Sequence, residues 1–141
     1  RIGLPSERHV YDLRAGKYLG TVDRIDTRLQ WGRANFFMAL PYEIPQPSVA
    51  VDATDPAPGD VLTASIAMDL PPGADEQFSV WVEVVQPDGE SPMWAQQVAV
   101  LDRGEAQVRV QTAHNDMPGT WQVRVTELFS GQSAEAAWEV Q

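Results

Sequence analysis

From Ser48 to the end of the chain, short runs of alternating apolar and polar residues are broken by proline- and glycine-containing segments. The breaks recur about every eight to twelve residues, and this rhythm limits the fold more than any other feature. The runs are SVAVDAT (48–54), VLTASIAMDL (61–70), QFSVWVEVVQ (77–86), MWAQQVAVL (93–101), EAQVRVQTA (105–113), TWQVRVTEL (120–128) and AEAAWEV (134–140). Between them stand DPAPGD, PPGADE, PDGESP, DRG, HNDMPG and FSGQS. In such turns proline presets φ and glycine accepts positive φ. No segment holds a 3.6-residue apolar period for three turns, so helix is not expected. Strands with one buried and one wet face belong in paired antiparallel sheets. The expectation is an all-β fold: a seven-stranded immunoglobulin-like or fibronectin-like antiparallel sandwich over 49–141. Strand count and patterning carry it, because the cysteine pair of antibody domains is missing.

The first 42 residues follow another pattern. HVYDLR, KYLGTV, RIDTRLQW and ANFFMALPY read as four strands, the first two forming a hairpin around Ala15–Gly16. Phe36, Phe37, Met38, Ala39 and Leu40 run without alternation, as in a strand covered on both faces. So short a segment buries little surface alone. It is therefore expected to be the tail of an upstream β domain, with Phe36, Phe37, Met38 and Leu40 as interface residues. Those four would pack on the sandwich, extend one of its sheets, or pair with a second copy of the chain. Between the two parts, Pro41–Ser48 carries three prolines in eight residues, and 43–48 reads as a stiff linker.

Charge divides the chain at the same place. Up to Tyr42 there are seven basic residues against four acidic ones; from Glu43 onward there are three against sixteen. The net charge of −10 disfavours nucleic acid, whose backbone is bound through Lys/Arg surfaces, and anionic membranes likewise. No apolar run is long enough for a spanning helix, so membrane insertion is not expected. The absence of cysteine removes disulfides, thiolate metal sites and cysteine nucleophiles together.

Little in the sequence points to catalysis. His9 opens a strand, and His114 lies in a turn beside Asp116 with no nucleophile motif nearby. The turn acids Asp55, Asp60, Asp75, Glu76, Asp88 and Glu90 show no spacing that pairs two of them across a cleft. Asp52, Asp55 and Asp60 offer oxygen donors in one loop region and are weak calcium candidates, but their spacing does not fit a calcium loop. No metal site or cofactor is expected. The tryptophans are more informative, since exposed indoles stack on sugars or anchor neighbouring domains. Parity places Trp121 and Trp138 in the core, and groups Trp94 with Val98 and Val100 as core too. Trp81 stands opposite Phe78, Val80, Val82 and Val84, and Trp31 lies in a QWGR turn. Trp31 and Trp81 are therefore the candidate ligand-binding or docking residues.

VYDLRAGKYLG, DRIDTRL and FFMALPY, followed by a linker and a sandwich ending NDMPGTWQVRVTELFSGQSAE, resemble the C-terminal region of large multidomain bacterial proteins with a glycoside-hydrolase-like organisation. The stretch PGTWQVRVTELFSG is also similar to a late strand of bacterial Ig-like and macroglobulin-like modules. The resemblance covers most of the chain and rests on structural motifs, so no catalytic residue transfers. It implies a non-catalytic accessory module of a secreted or cell-envelope protein, packing on or orienting an enzyme-like core. The implied partners are neighbouring domains of the same polypeptide or a second copy of the chain. A carbohydrate-binding module using exposed tryptophans is the alternative.

Overall fold

The computed structural model describes all 141 residues, Arg1–Gln141. The protein is all-β apart from a single 3-10 turn at Met93–Ala95, and its ten strands form three antiparallel sheets. Two compact units divide the chain: Arg1–Ile44 with Leu128–Gly131, and Pro45–Glu127 with Gln132–Gln141. The division falls inside the proline-rich stretch. That the turn 128–131 belongs with the first unit is not announced by any local feature of the sequence.

The first unit holds β1 (Ile2–Asp12), β2 (Lys17–Ile25) and β3 (Phe37–Leu40), in the order β2-β1-β3. The β1–β2 turn has a local cause. The Asp12 carboxylate accepts the backbone N–H groups of Arg14 and Ala15, each at 3.0 Å, and Gly16 takes φ 56°. Strand β1 starts at Ile2, well before the His9 expected from the sequence. Its Pro5 is tolerated because the β1–β2 register breaks between Gly3 and Arg8, where no ladder donor is required.

The third of the four expected strands, RIDTRLQW, is not formed beyond Ile25. Strand β3 pairs with β1 (His9 with Leu40, Asp12 with Phe37), on the side away from β2. The chain must therefore cross from one edge of the sheet to the other, and residues 26–36 make that crossing as loop. Asn35 steadies the loop by donating to Thr27 Oγ1 at 2.9 Å. Pairing with β1 places β3 in the first unit's own sheet, so of the three alternatives for this segment, extension of a sandwich sheet is not the one adopted. Nor is β3 covered on both faces: Leu40 is buried, Phe37 and Met38 are half-buried, and Phe36 and Ala39 are exposed. Val10, Tyr11, Ile25 and Ile44 are buried with Leu40, and the Tyr11 hydroxyl accepts the Ile44 N–H at 2.8 Å.

The second unit holds β4 (Ser48–Val51), β5 (Val61–Ala67), β6 (Phe78–Val85), β7 (Gln96–Leu101), β8 (Glu105–Gln111), β9 (Gly119–Glu127) and β10 (Ser133–Val140). These are the seven strands read from the sequence. They form two sheets, β4-β5-β8 and β10-β9-β6-β7, the three-against-four arrangement of a fibronectin-like sandwich. Period-two patterning fills the core: Leu62, Ala64 and Ile66 from β5, Val108 and Val110 from β8, and Phe78, Val80, Val82 and Val84 from β6. Trp121, Val123 and Val125 from β9 and Trp138 from β10 complete it. Burying a side chain of this kind is worth roughly 1.5–3 kcal/mol before chain entropy is counted, so the inner faces are the main source of stability.

One sheet is a strand wider than the other, and this overturns the reading of β7. Trp94, Val98 and Val100 were expected in the core, yet they are 69%, 53% and 56% exposed. The β6–β7 register aligns Phe78 with Leu101, Val80 with Ala99 and Val82 with Gln97, so Val98 and Val100 lie on the outer face with Trp81 and Ser79. As the fourth strand of its sheet, β7 buries only Leu101. Its alternation is real, but the interior that the pattern implied is not there.

Candidate functional site

The residues singled out from the sequence are divided between the two units. Trp31 is fully exposed in the 26–36 loop of the first unit. Trp81 is half-buried in mid-strand β6 of the second. Asp52, Asp55 and Asp60 form no cluster able to hold a metal ion. Each is engaged separately: Asp52 accepts the Thr63 N–H at 2.9 Å, Asp60 accepts the Ala57 N–H at 2.9 Å, and Asp55 accepts from the Gln141 amide at 3.2 Å.

The histidines also have structural surroundings. His9 Nδ1 lies 2.7 Å from the Tyr18 hydroxyl, and the two rings stack with centroids 6.0 Å apart. His114 lies over the positive-φ Gly59, where an added Cβ would stand 3.0 Å from its Nε2. Asp116, its neighbour in sequence, accepts the Ala113 N–H at 2.7 Å and so closes its own turn.

The second unit offers two surfaces with functional character. The first is the outer face of the four-stranded sheet. There Trp81 pairs with Val98 across β6–β7 and with Thr126 across β6–β9, and Val100 continues the apolar strip along β7. A charged line bounds the strip. Arg124 donates from Nε to Glu135 at 2.5 Å and from Nη1 to Glu83 at 3.1 Å. Its guanidinium is held above the usual arginine range, chiefly by the Glu135 bond, with Glu83 adding to it against partial burial. The outer face of a one-sided sheet is ordinarily polar, so an indole and two exposed valines there form a patch of the kind that meets another surface.

The second surface is the seam where β7 and β8, the edge strands of the two sheets, diverge. They stay close at the Asp102–Gly104 turn, where Asp102 bridges Glu105, and separate towards Gln96 and Gln111. Two adjoining grooves open there, of about 540 Å³ and about 160 Å³, and both are lined by Trp94 and Gln111. The 3-10 turn Met93–Ala95 sets the indole over this opening. Sequence reasoning missed Trp94 because parity along β7 assigned it to the interior. The overlooked signal was the preceding PDGESP turn, which places residues 93–95 outside the ladder.

No family model matches the chain, and no curated protein is significantly similar to it.

Proposed function

We propose that this chain is a non-catalytic accessory module whose sandwich docks, through the outer face of its four-stranded sheet, on a neighbouring domain of the same polypeptide. The observation that carries the reading is the strip of Trp81, Val98 and Val100, with two valines more than half exposed on a face that alternation normally keeps polar. The charged line of Glu83, Arg124 and Glu135 fits the polar rim of such an interface. The engagement of Asp52, Asp55, Asp60 and Asp116 in hydrogen bonds with backbone or side-chain groups of the second unit supports a structural rather than a chemical role for the acidic turns. In this reading the module belongs to a secreted or cell-envelope bacterial protein and spaces or orients an enzyme-like core. No helix is long and apolar enough to cross a membrane.

The test is calorimetric titration of this chain with the separately expressed neighbouring part of the parent polypeptide. Val98→Lys with Val100→Lys is expected to weaken association by at least about tenfold, close to 1.4 kcal/mol. Both positions already face solvent, so the melting temperature of the isolated chain should stay within a few degrees. Absence of association in the unmodified chain, or association indifferent to the two lysines, would refute the docking face.

A further inference from the structure

We infer that the seam between β7 and β8 is a binding groove for a neutral glycan chain, with Trp94 as its stacking platform. This site lies on a different surface from the docking face and does not depend on it.

The geometry begins with the unequal sheets. Because β7 and β8 are edges that diverge, the sandwich opens along this line, and Val84, Val108 and Val110 form its apolar floor. An indole that merely sealed the gap would be buried by it, as Trp121 and Trp138 are buried on the inner faces. Trp94 instead keeps 69% of its surface in water while lining both grooves. An exposed aromatic face over an apolar floor suits the flat, weakly polar face of a pyranose ring. Two grooves meeting at one indole suit consecutive rings of a chain better than a single sugar.

The polar lining narrows the ligand class. Gln86, Gln97 and Asn115 supply amides with donor and acceptor capacity matching a sugar hydroxyl, and Gln111 adds its amide oxygen as an acceptor. Gln111 is fixed in place, its amide donating to the Gly59 and Thr112 carbonyls at 2.9 and 3.1 Å. The lining charges are Arg109 and Asp116, of opposite sign, and Asp116 already accepts the Ala113 N–H. Such a groove has no net charge to attract a strongly ionic ligand. The fitting occupant is uncharged and rich in hydroxyl groups.

The experiment is titration of the full chain with soluble cello-, xylo-, manno- and galacto-oligosaccharides, followed by tryptophan fluorescence and calorimetry. At least one series is expected to bind with Kd between about 10 μM and 1 mM, with a change in indole emission. Trp94→Ala should weaken that binding by at least about tenfold, whereas Trp94→Tyr, which retains a stacking face, should weaken it less. Trp81→Ala should leave it unchanged. Gln97 is exposed at the groove, so Gln97→Ala should weaken binding several-fold without moving the thermal melt, even if Trp94→Ala proves unstable. No binding in any series up to about 10 mM, or binding that survives both Trp94→Ala and Gln97→Ala, overturns the proposal. Binding of extended peptides but not of sugars at this groove would overturn it equally.

Discussion

Replacing Gly104 with alanine is expected to destabilise the second unit by about 3 kcal/mol, measured by urea or thermal unfolding. Gly104 closes the β7–β8 turn at φ 84°, where an L side chain is strained. A Cβ there would also stand 2.6 Å from the Met68 carbonyl oxygen, a distance the backbone cannot accept without moving. The move would disturb the 2.8 Å bond from Met68 N–H to the Gly104 carbonyl, which ties the end of β5 to this turn. Gly89 separates the two effects, since it has φ 87° but open space around its Cβ position. Gly89→Ala should therefore show the conformational cost alone, about 1 kcal/mol. Equal losses at the two positions would mean that the turn rearranges freely and that the approach to Met68 is unimportant.

The same turn explains how far the sequence could be read. Local chemistry is legible where a residue acts on its immediate neighbours. Breaks such as PDGESP, DRG and HNDMPG placed all seven sandwich strands, and parity put Trp121 and Trp138 on the inner face, where they lie. Parity fails for Trp94, Val98 and Val100 because alternation reports two different faces without saying which is covered. That depends on β7 being a fourth strand against a sheet of three, a global property. The first unit failed for a related reason. RIDTRLQW has the composition of a strand, but β3 pairs with the far side of β1, and the connection has to leave the sheet. The candidate sites divide along the same line. Trp81 was found because β6 is central and its burial is one-sided, whereas the Trp94 groove exists only because two sheet edges part in three dimensions.

Trp121 and Trp138 offer a second large effect, and their contrast is more informative than either alone. They are directly paired across β9 and β10, both buried, with ring centroids 6.3 Å apart. Truncating Trp138 to alanine should cost about 3–5 kcal/mol through lost burial and the cavity left behind. Phenylalanine at each position should separate the pair. The Trp121 indole N–H donates to the Met117 carbonyl at 2.8 Å, so Trp121→Phe removes a made bond as well as ring volume. The Trp138 N–H is buried without a hydrogen-bond partner. An unmet buried donor costs about 1–3 kcal/mol, and Trp138→Phe removes that cost while it shrinks the ring. The two terms oppose each other at Trp138 and add at Trp121. Chemical unfolding should then find Trp138→Phe close to neutral, within about 1 kcal/mol, and Trp121→Phe costlier by about 2 kcal/mol. Equal losses would mean that the Trp138 N–H is hydrogen-bonded in solution, and the stacked pair would then owe its stability to burial alone.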